Sequence, residues 1–383
     1  MDFGFTEEQE LLRDSVVKLM ERHASSEMIR QHDRAQTFPY ELYKAWVEAG
    51  LLRLPFPEEV GGLGGNAIDL AIVVQELSRY SADFAMAFGG SIFCGLNLLR
   101  KGTPEQRAYW LQRVMNGENI FAIGISEPDA GSDVGALKTH AHLDGDHYVV
   151  NGQKLWTTGA GLKGSVINTY VKTDRNAHYR KGMSLLLIDN DMPGVELRKL
   201  EMLGRRCVGT YEVFFHDVRV PRDRLVGLEN GGWDCLMGGL QIERAVSAAG
   251  SCGAAQAIVD LAVSYAAERK QFGQAIGSFQ AIGHMIADMQ TEVDAAKMLM
   301  WRAVWLVSQD RDALKEITMA KLFAAETYAK VANLGVQIMG GYGLNAEYDM
   351  QRFFRDARSA TIAAGTSQTQ RNLIAGLMGL KAK

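Results

Sequence analysis

The chain has 383 residues, more than one ordinary domain, and predicts two or three. With 47% hydrophobic and 22% charged residues it has the composition of a globular protein that buries a large core. A net charge of -4 favours neither nucleic acid nor an anionic membrane as a partner. The first predicted element follows a capping box: Thr6 and Gln9 stand ahead of the helical pattern "ELLRDSVVKLMERH". The stretch "AIDLAIVVQELSRYSADFAMAFGGSIFCGLNLLRKG" predicts two more helices. Between about 120 and 225 the character changes. Short β-rich runs, "HYVVNGQKLWTT", "SVINTYVKT", "MSLLLIDN" and "YEVFFHDVRV", alternate with Gly, Asp and Asn turns. All seven prolines lie at or before Pro221, so residues 222–383 are free to build long helices. "GAAQAIVDLAVSYAAERKQFG" and "EITMAKLFAAETYAKVANLGVQIMGG" carry the three- and four-residue apolar spacing of such helices, with Gly273, Gly340 and Gly341 as natural stops. The expectation is an α+β chain: an N-terminal α-helical domain (1–118), a middle β domain (119–228) and a C-terminal α-helical bundle (229–383).

No basic segment followed by an apolar run opens the chain, and no stretch approaches about 18 uninterrupted apolar residues, so neither a signal peptide nor a spanning helix is expected. Cys94, Cys207, Cys235 and Cys252 lack CxxC spacing and read as free thiols of a reducing compartment, with the cytoplasm as default. No residue set calls for a metal.

Two stretches carry chemistry. "GISEPDAGSDVGA" (124–136) offers hydroxyls and backbone N–H groups, among them Ser126 and Ser132, that suit a polar ligand; a plain Gly/Asp/Ser connection is the competing reading. "TIAAGTSQTQR" (361–371) has the build of a ligand-holding loop, yet Ala363 and Ala364 stand where a reactive side chain is expected.

"GISEPDAGSDVGA" followed by "NGQKLWTTGA" resembles the signatures of the acyl-CoA dehydrogenases. "AAERKQFGQAIGSFQAI", "QIMGGYG" and "RFFRDARSATIAAGT" match further family motifs in the right order, and the resemblance covers essentially the whole chain. It implies N-terminal helices, a middle β-barrel-like domain and a C-terminal four-helix bundle, with FAD bound and usually a homotetramer (a dimer of dimers). Ile123, Ile125, Ser126, Gly131 and Ser132 match positions lining the flavin or the thioester. Trp156 and Thr158 match residues that cover one flavin face and bond its edge, a task suited to a flat indole. Arg269, Gln280, Gln337, Gly340 and Gly341 match residues reaching a neighbouring subunit's cofactor, Arg269 as the partner of its pyrophosphate. Thr366 and Gln368 fall where the family contacts FAD, Gly365 where it contacts substrate, and Arg244 where it meets the CoA portion.

The reaction implied is α,β-desaturation of an acyl-CoA. Most of the family holds its base, a Glu, in a "YEGT"-like sequence, for which this chain has Ala363, Ala364, Gly365 and Thr366. The family's carbonyl donor there is a backbone N–H, which Ala364 retains. A minority branch, isovaleryl-CoA dehydrogenase among it, carries the base on a helix within "ERxxxAxG"; Glu243, Arg244, Ala248 and Gly250 fit that pattern. Glu243 is thus the candidate base, with an ordinary surface ion pair as the bland alternative. The readings are a dehydrogenase passing electrons to electron-transfer flavoprotein, an enoyl-CoA reductase of crotonobetainyl or cinnamoyl type, and an inactive flavoprotein. For the acyl group the lean is short, branched or cyclic, with the helix carrying Phe88, Gly89, Gly90 and Phe93 lining its tail.

Overall fold

A computed structural model describes residues 4–380. The first block is helical: α1 (Glu7–His23), α2 (Ser26–Ala35), α3 (Tyr40–Glu48), α4 (Ala67–Tyr80), α5 (Ala82–Lys101), α6 (Pro104–Gln106) and α7 (Gln112–Met115). The expected capping box opens α1, with Thr6 and Gln9 each accepting the other's backbone N–H. Ser81 divides α4 from α5: its backbone is extended and its hydroxyl accepts the N–H of Phe84, capping the second helix.

Eight strands follow: β1 (Ile120–Gly124), β2 (His140–Asp144), β3 (His147–Thr158), β4 (Ser165–Lys172), β5 (Met183–Asp189), β6 (Val195–Leu200), β7 (Thr210–Pro221) and β8 (Leu225–Val226). They form one sheet in the order β6-β7-β3-β2-β4-β5-β8, with β1 pairing parallel to β4. β4 is buried along nearly its whole length because both of its faces are covered, whereas β6, at one end of the sheet, alternates half-buried and exposed residues.

The proline-free remainder is helical but for the small hairpin of β9 (Lys270–Gln271) and β10 (Gln274–Ala275). Its helices are α8 (Gly232–Glu268), α9 (Gln280–Ser308), α10 (Leu314–Met339), α11 (Gly341–Leu344), α12 (Met350–Ala360) and α13 (Ser367–Leu377). α8, 37 residues long, packs against α4, α5, α9 and α10. Its small residues make that possible: a Cβ added at Gly253 would lie 2.0 Å from the Gln75 carbonyl oxygen of α4, so only glycine fits there. By length and apolarity α5 and α8 match membrane-spanning segments; here most of the apolar window of each is buried against the rest of the fold.

Candidate active site

Glu243, in the N-terminal half of α8, lines a narrow cavity walled by α4, α5, α8 and the loop between α12 and α13. Val74, Gly89, Phe93 and Val246 supply apolar walls. Of the four α5 residues expected to line an acyl tail, Gly89 and Phe93 face this cavity. Phe88 is fully buried in the core, and Gly90 packs towards the backbone of Phe121. The Glu243 carboxylate has no hydrogen-bond donor and no cation within 4 Å among the described residues. Burial pushes it up to about 7, against the opposing pull of Arg244, Lys321 and Arg205. A carboxylate so placed is a proton acceptor at neutral pH.

Ala363 and Ala364 close the same cavity from the opposite direction. Ala364 has φ +55°, a left-handed conformation that a non-glycine residue adopts at a cost of roughly 1–2 kcal/mol. Its surroundings hold it there. The Ala364 carbonyl accepts from Arg244 Nε at 3.2 Å and Gln370 Nε2 at 3.1 Å. The Gly365 carbonyl accepts from Lys321 Nζ at 2.7 Å and Gln370 Nε2 at 3.0 Å. With both carbonyls engaged, the Ala364 N–H is left without an acceptor among the described residues. Arg244 is buried and commits only its Nε to the loop, so its two terminal nitrogens stay available to a ligand.

A second group of the expected residues gathers where β1 runs into the following loop, beside β3. The Leu155 N–H donates to the Ser126 carbonyl at 2.8 Å, tying that loop to the residue before Trp156. Beneath lies a buried ion pair: Lys154 Nζ contacts Glu127 Oε1 at 2.8 Å and the Ile125 carbonyl at 3.1 Å. Burial pulls Lys154 down to about 8, with Glu127 resisting. β3 loses its regular register with β7 between Lys154 and Thr157, and within that irregularity Trp156 takes φ +63° with its residue 55% exposed. Ile123 and Ile125 are half-buried nearby in sequence, and Gly131 and Ser132 are exposed. A Cβ at Gly131 would meet nothing, the Thr157 hydroxyl is buried without a partner, and Thr158 Oγ1 bonds Thr210. A strained backbone that turns a large indole outward suits a flat ring system such as the flavin of FAD, whereas the Thr157 hydroxyl is fully buried and lies off that face. Thr366 caps α13, accepting the Thr369 N–H at 3.1 Å, and Gln368, the second residue of that helix, is exposed.

The third group lies elsewhere. Arg269, Gly340 and Gly341 line an open groove of about 580 Å³ with Tyr265, Phe272 and Tyr342. The Arg269 guanidinium rests 5.3 Å from the Tyr342 ring centroid and has no ion-pair partner among the described residues, which fits a phosphate-bearing ligand. Gly340 has φ +59°, ψ -135°, a conformation essentially reserved for glycine. Gln280 and Gln337 are exposed at the ends of α9 and α10. This groove shares no lining residue with the Glu243 cavity.

Sequence reasoning missed Lys321, Gln370 and the Lys154–Glu127 pair, each of which acts through tertiary contacts that no local pattern announces. It also missed Arg205 and Tyr328, which line the Glu243 cavity.

Models of the acyl-CoA dehydrogenase N-terminal, middle and C-terminal domains match residues 6–118, 122–218 and 230–378. The chain is 37% identical over 378 residues to the probable acyl-CoA dehydrogenase YngJ of Bacillus subtilis, covering 98% of this chain and 99% of that protein. It is 35% identical over 376 residues to the caffeyl-CoA reductase-Etf complex subunit CarC of Acetobacterium woodii, covering 98% and 99%. Among solved structures, butyryl-CoA dehydrogenase from Megasphaera elsdenii superimposes with a TM-score of 0.94 at 28% identity, over 99% of this chain and 100% of that one.

Proposed function

The chain belongs to the acyl-CoA dehydrogenase family, FAD-dependent oxidoreductases acting on CH–CH bonds, and on that premise we propose that it desaturates an acyl-CoA thioester with Glu243 as the base. The observation that carries this reading is the convergence of an unpaired, desolvated carboxylate and an unpaired backbone N–H on one cavity. The Glu243 carboxylate takes the α-proton. The Ala364 N–H donates to the thioester oxygen as negative charge builds there, and Arg244, Lys321 and Gln370 keep that donor from turning away. The substrate's β-hydrogen leaves with its electron pair, and the α-carbon's freed pair closes the double bond. Bound FAD supplies the acceptor for that hydride. Trp156, Thr158 and the Ile123–Ser132 segment would hold the flavin, with Thr366 and Gln368 beside it, while Arg269, Gln280, Gln337, Gly340 and Gly341 would serve a neighbouring subunit's cofactor in a homotetramer. Electron-transfer flavoprotein is the proposed recipient of the electrons.

The likeness to a protein named caffeyl-CoA reductase favours a second reading, the same chemistry run towards the saturated thioester. A residue with a proton affinity near neutrality serves both directions, since Glu243 would then return the α-proton. Flavin reduction in a single anaerobic turnover tests the base: Glu243→Gln is expected to slow it by about 100-fold or more while flavin content persists. A variant that reduces its flavin as fast as the parent would show that the base is another residue. Rapid bleaching by saturated thioesters supports the dehydrogenase. Bleaching that needs an external reductant, followed by reoxidation on adding an enoyl thioester, supports the reductase.

A further inference from the structure

The wall of the Glu243 cavity carries polar groups that a plain hydrocarbon tail would leave stranded. Arg205 lies in the segment between β6 and β7, at φ +55°, and lines the cavity. Its guanidinium has no hydrogen-bond acceptor and no carboxylate within 4 Å among the described residues, and its Nε is buried without a partner. Tyr328, on α10, is 1% exposed; its hydroxyl is also buried without a partner, and it lines the same cavity.

The nearby charges do not explain the pair. Asp356 spends Oδ1 on the backbone N–H of Arg205 itself, at 2.6 Å, and Asp83 spends Oδ2 on the N–H of Cys207, at 2.7 Å. Burial, with Asp356 beside it, pushes Asp83 up to about 7, and burial raises Asp356 as well, so these carboxyls do not offer two full negative charges to Arg205. Arg355 is paired with Asp33 and Arg352 with Asp349. Glu243 is not in contact with Arg205 and must stay free to take a proton. Asp83 Oδ1 and Asp356 Oδ2 are themselves buried without a partner and attract Arg205 only from beyond contact distance, so the half-buried guanidinium keeps donors that an anionic ligand would complete.

We propose that Arg205 and Tyr328 bind a carboxylate at the far end of the acyl chain, so that the substrate is the CoA monothioester of a dicarboxylic acid. The proposal rests on the reading of the Glu243 cavity as the acyl site. The planar guanidinium pairs with both carboxylate oxygens while the Tyr328 hydroxyl donates to one of them. Specificity follows from the same geometry. A methyl-terminated chain of equal length leaves both polar groups desolvated and unpaired, a far stronger rejection than a mismatch of hydrocarbon.

Affinity reads this subsite separately from the base. In the FAD-loaded Glu243→Gln protein, dissociation constants are measured by titration calorimetry for thioesters matched carbon for carbon: glutaryl- against pentanoyl-CoA, adipyl- against hexanoyl-CoA. The carboxylate-bearing member of at least one pair is expected to bind about 10- to 100-fold more tightly. Adding Arg205→Leu should abolish that preference, Arg205→Lys should keep part of it, and Tyr328→Phe should weaken it by about fivefold. Flavin content and melting temperature identify any variant that has failed to fold, and Arg205→Lys then carries the test. Equal binding of both members at every length, or a preference that survives the loss of Arg205, overturns the proposal. The flavin-reduction rate of Glu243→Gln fails or holds independently of either result.

Discussion

At the scale of single residues, the site depends on a carboxylate that the fold makes uncomfortable. Glu243 ordinarily titrates near 4.5, and burial carries it up to about 7. As a base it must be deprotonated, so the rate of flavin reduction is expected to climb as pH rises through about 7 and to level above it, measured by stopped-flow across pH 5.5–8.5. The same shift acts on stability with a definite sign. Between 4.5 and about 7 the folded chain holds the proton more tightly than the unfolded one, so the stability this group contributes is present below that window and lost as pH rises through it. Glu243→Gln removes that loss. It is expected to melt higher than the parent at pH 8, with the gap closing towards pH 5, so the variant that cripples the chemistry should be the sturdier protein. Ala364 carries a similar tension in its backbone. Its φ of +55° makes Ala364→Gly close to neutral, within about 1 kcal/mol in thermal denaturation and with most activity retained, because the N–H survives and the left-handed penalty is relieved. Ala364→Pro would remove the donor but also demand φ near -65°, so its loss of activity would mix two causes.

At the scale of elements, the loop between α12 and α13 is an example of a site that sequence locates but does not explain. The motifs bring Glu243 and Ala364 together although 121 positions separate them (364 − 243). What fixes the loop comes from farther afield: Lys321 from α10 and Arg244 from α8 converge with Gln370 of α13 on its two carbonyls. Gln370 is fully buried, and Gln370→Leu keeps its bulk while deleting both of its bonds to the loop. The expected result is a fall of about tenfold or more in flavin reduction, larger than any change in melting temperature predicts, since small misplacements of a reacting group are costly. Such partners are invisible beforehand because a lysine or glutamine in a helix looks the same whether it faces water or a carbonyl. The elements themselves were easier to read. The last proline at 221 marks the turn to long helices, and the four β-rich runs became β3, β4, β5 and β7. β1, β2, β6 and the two-residue β8 escaped notice. β6 mixes charge into an edge strand, and β2 is five residues long, so neither shows a buried face strong enough to stand out. Arg205 was likewise illegible, because an unpaired guanidinium is defined by what fails to surround it.

At the scale of the whole molecule, α8 sets the distance between two functional regions. Glu243 and Arg269 lie 26 residues apart (269 − 243), about 39 Å along a straight helix. A flavin nucleotide whose ring sat against the Glu243 cavity would not extend that far, which supports the proposal that Arg269 serves a neighbour's pyrophosphate. The surface around it suits an interface: Phe272, at the tip of the β9–β10 hairpin, is 94% exposed beside the groove. Mixing two crippled chains tests this arrangement. Glu243→Gln lacks the base but keeps Arg269; Arg269→Ala keeps the base but should yield a paler protein with less bound FAD. In a mixed pair, if each Arg269 serves the other subunit, the site that retains Glu243 receives an intact Arg269 from its Glu243→Gln neighbour. Random assembly of equal amounts then restores about a quarter of the sites, since half the pairs are mixed and each holds one complete site. If each Arg269 serves its own subunit, every site in a mixed pair carries one defect and nothing is restored. Flavin retention after gel filtration and the flavin-reduction amplitude of the co-refolded mixture report the outcome, and an amplitude no greater than the average of the two parent variants would return Arg269 to its own chain.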